Sequence, residues 1–157
     1  MIAIRDMVGT KVYEWDWGQY TVSTDRCRID IGVVHRFLAE ESYWAKGRAL
    51  SVIERSVENS LCFGLYDGQN SQVGFARAIT DFATYGYLAD VFVLRPHRGQ
   101  GLGKWLVNCV LEHPELRGLC AWGLRTLDAH SLYTRYGFAS LNRPEMAMEL
   151  RPEPRFT

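Results

Sequence analysis

The chain lacks a hydrophobic run long enough to cross a bilayer: a membrane helix needs about 20 consecutive apolar residues, and polar residues interrupt every apolar stretch well before that. Its first residues, broken by Arg5, Asp6 and Lys11, lack the apolar core of a secretory signal, so a cytoplasmic protein is expected. It also lacks an excess of either charge. Eighteen Lys and Arg balance eighteen Asp and Glu, which argues against a general nucleic-acid binder or an anionic-membrane binder and favours a small partner. Cys27, Cys62, Cys109 and Cys120 form no Cys-x-x-Cys pair and do not cluster with His35, His97, His113 or His130 at zinc-like spacing. No metal is expected, and the thiols read as reduced, buried small hydrophobes, with a catalytic role for Cys109 or Cys120 as the minor alternative. Internal repeats, low-complexity tracts and linkers are missing too. What remains is an ordinary globular composition, 47% hydrophobic and 23% charged, in 157 residues, the size of one domain spanning 1–157.

The most informative segment runs from Val91 to Val107, where an apolar strand passes through a glycine-rich turn into an amphipathic helix. Arg98, Gly101 and Gly103 have the spacing Arg-x-x-Gly-x-Gly, and Gly99 adds a third residue without a Cβ, so backbone N–H groups can converge on a ligand. The helix start contributes unpaired amides and the positive end of its dipole, which suits a phosphate. Arg98 and Lys104 can add full charges. A P-loop needs a hydroxyl after its lysine, but Trp105 follows Lys104. A Rossmann fingerprint needs Gly-x-Gly-x-x-Gly, whereas the glycines here fall at 99, 101 and 103.

Thirty residues on, Asp128 to Phe138 reads as a short helix ending in Tyr-x-x-x-Gly-Phe, with Tyr133, Gly137 and Phe138 at those positions. Asp128 is placed to cap the helix, and Gly137 to end it in the left-handed conformation. The two segments together resemble motifs A and B of the GNAT N-acetyltransferase superfamily over about residues 20–150. Residues 1–18 are an N-terminal extension that the family pattern does not place. The resemblance implies acetyl-CoA as acetyl donor, with its pyrophosphate on Arg98, Gly99, Gln100, Gly101, Leu102, Gly103 and Lys104. It also implies splayed fourth and fifth strands, with the pantetheine arm paired to the edge at Val91, Phe92 and Val93; edge pairing is physically sensible because unpaired N–H and C=O groups are on offer there.

Periodicity gives a matching order of elements. A short strand is expected at 20–24, then a helix behind Asp30 with Ile31, Val34, Phe37 and Leu38 on one face, and a helix over 48–59. A hairpin follows at 61–66 and 72–80 around Asp67-Gly68, then a strand at 87–94, the helix from Leu102 to Pro114, a strand at 119–126, a helix at 128–136 and a last strand at 146–150. The fold class is therefore α+β, a mixed central β-sheet with helices on both faces, as the GNAT resemblance also implies. The central strand–helix–strand unit must be parallel and right-handed.

Acetyl transfer to an amine needs a held thioester, a donor for the developing oxyanion and a proton for the departing thiolate. Tyr133 resembles the motif B tyrosine that protonates the CoA sulfur; the alternative is an aromatic packing its helix. Asp90, on the strand leading to the turn, is a candidate base, with a structural carboxylate paired to an amide or arginine as the equal alternative. Asp81 is the next choice and is more simply a turn residue. His35 and His130 read as structural, and Arg95 as a solvated loop residue. Tyr43 and Trp44 join the first two helices and offer an acceptor wall or, equally, core closure; Glu40 or Glu41 can attract a cationic amine. Trp15, Trp17 and Tyr20 are too aromatic for a disordered tail and are expected to pack on the body or on a second subunit, which allows a homodimer. The leading function is acetyl transfer from acetyl-CoA to a primary amine, most simply on a small molecule; the alternative is a non-catalytic CoA-sensing or interaction domain.

Overall fold

The computed structural model describes residues 11–152. They fall into two compact units that part between Arg125 and Thr126. The first unit is built on one sheet in which β1 (Glu14–Trp17), β2 (Tyr20–Ser23), β3 (Leu61–Tyr66), β4 (Gln72–Thr80), β5 (Tyr85–Val93) and β6 (Ala121–Gly123) lie in sequence order. Neighbours are antiparallel up to β5, and β5 pairs β6 in parallel. The parallel pair is the expected strand–helix–strand unit, with α3 (Leu102–Leu111) as its crossover.

Helices cover both faces of this mixed α+β sheet. Asp30 starts α1 (Ile31–Arg36) by accepting a hydrogen bond from the Val33 amide at 3.1 Å, which satisfies one donor that the first turn leaves open. The helix widens into a π turn over Phe37–Glu41, and α2 (Leu50–Glu58) follows with Ile53 and Val57 buried. Val34, Phe37, Leu38, Ile53 and Val57 form one cluster with Cys62, Phe75 and Phe92 of the sheet. At its centre the Phe37 ring stacks on Phe92 with centroids 3.9 Å apart. The opposite face is closed by α3, whose buried stripe is Leu102, Leu106, Val107, Cys109 and Val110; full burial of such side chains stabilises by about 1.5–3 kcal/mol each.

Several local expectations shift. The aromatic N-terminal segment is a strand, β1, hairpinned to β2 through Gly18 at φ 59° with Trp17 paired to Tyr20, a two-residue turn that favours glycine at its first position. In the β3–β4 turn the left-handed residue is Asn70, not Gly68, because Asp67 accepts from the amides of Gln69 and Ser71 and draws the loop round itself. The strand expected at 119–126 shrinks to three residues, since only Tyr85, Gly86 and Tyr87 of β5 pair with it. Cys62 and Cys109 are buried, whereas Cys27 and Cys120 are exposed. Cys27 sits in a short turn between Arg26 and Arg28, and Cys120 just outside the edge strand.

In the second unit α4 (His130–Tyr133) runs into a tight turn over Thr134–Tyr136 and stops at Gly137, φ 87°. The Phe138 amide then bonds back to the Tyr133 carbonyl at 3.3 Å, a closing pattern that needs the left-handed glycine. Asp128 does not cap this helix: Thr126 accepts the Ala129 amide instead, at 3.0 Å. The strand expected at 146–150 is also missing. Residues 147–150 have no ladder partner and Met148 is 98% exposed, and alternating apolar residues make a strand only beside another strand.

Candidate active site

The glycine turn is held from three sides. The Arg98 Nε donates to the Val93 carbonyl at 2.7 Å, folding the side chain back onto the end of β5. Gly99 and Gly101 both take left-handed φ, 79° and 82°, and Gly101 is the residue from which α3 springs. Leu102 is buried and pins the helix start to the sheet, while Gln100 and Lys104 are exposed. At Leu102 and Gly103 the amides precede any intrahelical partner, so they remain donors for a ligand, with the helix dipole behind them. The turn therefore combines two left-handed glycines with the open amides of a helix start.

Immediately upstream, β5 is both bulged and open. Its pairing with β4 steps from Phe75↔Phe92 to Arg77↔Ala89, so the stretch through Asp90 and Val91 carries one residue more than its partner. Asp90 takes the strain at φ 53°, a left-handed conformation unusual for a residue with a side chain. On the other side β6 ends opposite Tyr87. From Leu88 to Val93, β5 has no strand beside it on that flank among the described residues. Val91, Phe92 and Val93 thus lie on an open edge that leads straight into the cradle.

Asp90 anchors a buried polar cluster. Its Oδ2 accepts from Arg77 Nε, and the Arg77 Nη2 lies equally close, each at 2.9 Å. Its Oδ1 accepts from the Trp44 indole N–H at 3.0 Å and lies 3.6 Å from Arg48. Arg77 is fixed further by Ser60 Oγ at 3.0 Å. Both Asp90 oxygens are thus committed to donors. Trp44 is brought to the bulge, with Tyr43 edge-on to it at 5.0 Å, and the two rings are 39% and 51% exposed. Sequence reasoning picked out Asp90 and Trp44 but missed their tie and missed Arg77, although a lone arginine inside the apolar run Val73 to Ile79 signals a buried partner. Asp81 closes its own loop, accepting from the amides of Ala83, Thr84 and Tyr85 and from the Thr84 hydroxyl. Those bonds hold its carboxyl well below the usual range.

Other candidates fall into simpler places. His97 Nδ1 sits 3.0 Å from the Tyr20 hydroxyl, linking the turn to β2. Burial pushes the Cys62 and Cys109 thiols up to about 12, so both remain protonated and unreactive at neutral pH. Tyr133 belongs to the second unit; it is buried and edge-on to Phe138 at 5.9 Å. Among the described residues no group of three or more His, Cys, Asp or Glu is placed to hold a metal ion.

The family model for the acetyltransferase (GNAT) domain matches residues 58–140, a span that takes in β3 to α4. A curated Gibberella zeae protein, provisionally named an acetyltransferase, is 32% identical over 121 residues, covering 66% of this chain and 68% of its own length. A crystal structure of a Xanthomonas campestris pv. campestris protein, provisionally assigned as a GNAT-family acetyltransferase, is 45% identical with a TM-score of 0.83, over 87% of this chain and 96% of that one. An inferred acetyltransferase from Clostridium acetobutylicum, solved with acetyl-CoA, shares the fold at 17% identity and a TM-score of 0.64, over 84% of this chain and 94% of that one.

Proposed function

The chain belongs to the GNAT acetyltransferase family, and on that premise we propose that it moves the acetyl group of acetyl-CoA to a primary amine on a small molecule. The observation that carries this reading is the continuity of the open β5 edge with the glycine cradle, from Val91 to Lys104. An extended pantetheine arm fits the edge because its amides match the spacing of a strand, and the diphosphate then meets the amides of the turn. The amine nitrogen attacks the thioester carbonyl, and the carbon–sulfur bond breaks. The sulfur takes up one proton and the amine gives one up, leaving an amide and free CoA. An ordinary phenol, with a pKa of about 10, is protonated at neutral pH, which supports Tyr133 as the acid that serves the sulfur.

Asp90 takes a positioning role in this scheme. With both oxygens engaged by Arg77 and Trp44, it fits a group that holds the bulge and the Trp44 loop in register better than one that exchanges protons. The half-exposed rings of Tyr43 and Trp44 then form the acceptor wall. The test is thiol release from acetyl-CoA in the presence of amino acids, amino sugars, polyamines and arylalkylamines, with mass spectrometry of the products. Acetylation of at least one amine with matching release of CoA is expected. Tight acetyl-CoA binding with no acceptor acetylated favours the CoA-binding module instead.

A further inference from the structure

The β1–β2 hairpin brings a tryptophan to the cradle from outside the matched family region. Along β1, Trp15 is half-buried against Phe63 and His113, and Trp17, two residues on, shares its face of the sheet. Trp17 therefore projects on the α3 side, past the sheet and over the start of the helix. Its ring lies 5.5 Å from Trp105 at 66°, and its outer edge comes within 3.2 Å of where a Cβ on Gly101 would sit. Trp17 stays 47% exposed, unusual for a tryptophan so well placed to pack. Between these groups lies an open cleft of about 350 Å³ lined by Asp16, Trp17, Gly101, Lys104 and Trp105, a volume at the small end for organic ligands.

Resting on the functional reading above, we infer that this cleft is a nucleobase platform that takes the adenine of acetyl-CoA against Trp17. The two sites share Gly101, so a diphosphate on the turn delivers whatever follows it to the adjoining cleft. The indole offers a flat, half-exposed stacking surface, and every purine has a π-face to lay on it. Lys104, at the rim of the cleft, supplies positive charge for the phosphorylated ribose. The hairpin holds this surface in place: Thr21 Oγ1 donates to Asp16 Oδ1 at 2.7 Å across the turn.

Calorimetric titration of the full chain with acetyl-CoA and with S-acetyl-4′-phosphopantetheine, which lacks the adenosine together with its 3′- and 5′-phosphates, separates the claims. For Trp17→Ala the Kd for acetyl-CoA should rise roughly tenfold, within the range of a lost base–aromatic stack, while the Kd for the phosphopantetheine thioester changes less than about twofold. That second ligand also reports that the cradle remains folded. Trp17→Phe, which keeps a stacking face, should recover most of the affinity. Equal loss for both ligands, or no loss for either, overturns the platform and leaves the functional reading standing. If the parent protein binds neither thioester, the functional reading falls and the platform falls with it.

Discussion

Asp90 concentrates more of the site's energetics than any other residue. Holding a residue with a Cβ at φ 53° costs about 1–3 kcal/mol, and the cost is offset by the fixed Arg77 and Trp44 contacts on its carboxylate. Removing the carboxylate leaves Arg77, a side chain only 10% exposed, as an uncompensated buried cation. Asp90→Ala should therefore lower unfolding stability by about 3–5 kcal/mol in denaturant titration. Asp90→Gly relieves the backbone at the same time and should be milder by about 1 kcal/mol. Equal losses for the two variants would remove strain as a term at the bulge, and negligible losses for both would remove the pairing. Tyr133 separates chemistry from packing in a different way. Tyr133→Phe keeps the ring against Phe138 and deletes one oxygen, so acetyl-CoA affinity should hold while kcat drops by roughly a hundredfold, the lower range for loss of a positioned acid. Unchanged turnover across a pH series, measured where chemistry limits the rate, would leave Tyr133 as a packing residue.

At the scale of elements, the turn into α3 is the most constrained. A side chain on Gly101 meets two penalties at once, the left-handed φ of 82° and the Trp17 ring 3.2 Å from the new Cβ. Gly101→Val should weaken acetyl-CoA binding by at least tenfold in a direct titration, whereas Gly103→Ala, whose Cβ makes only an ordinary 3.9 Å contact with Val93, should fold like the parent. If Gly101→Val folds and binds normally, the cradle lies elsewhere. This turn was legible from sequence because its code is local: glycine spacing, a preceding apolar strand and a following apolar stripe. The Asp30 cap and the β3–β4 hairpin were legible for the same reason. Strands that depend on a distant partner were not. Nothing in Glu14 to Trp17 announces a strand until β2 lies beside it, and the alternation at 146–150 resembles a strand yet finds no ladder. The site shows the same divide, since Arg77 meets Asp90 across two strands and Trp17 meets Gly101 across the molecule.

For the first unit as a whole, acid sensitivity is expected from a single buried imidazole. His113 is fully buried among Tyr13, Trp15 and Phe63. Its Nδ1 accepts the Glu115 amide at 3.3 Å, while its Nε2 has no hydrogen-bond partner among the described residues. Burial lowers its pKa below the usual value of about 6.5, with nearby Glu115 opposing weakly. Above that pH the imidazole is neutral in both folded and unfolded chains and contributes no slope. As pH falls through about 6.5 the unfolded chain takes up a proton that the folded chain resists, so stability falls until the lowered folded pKa is reached. Thermal melts from pH 8 to pH 5 should show a decline that is shallower in His113→Leu; parallel curves would remove this residue as the cause. The open flank of β5 carries a further consequence, for turnover. A donor that completes the sheet must also leave it after every reaction, and each backbone hydrogen bond it forms contributes about 1 kcal/mol to holding the spent carrier. A long free edge would capture acetyl-CoA well and release CoA slowly. Because β6 stops at Gly123 and β5 ends at Val93, the gap is short, and under the proposed function its length would limit product retention as much as it admits the donor.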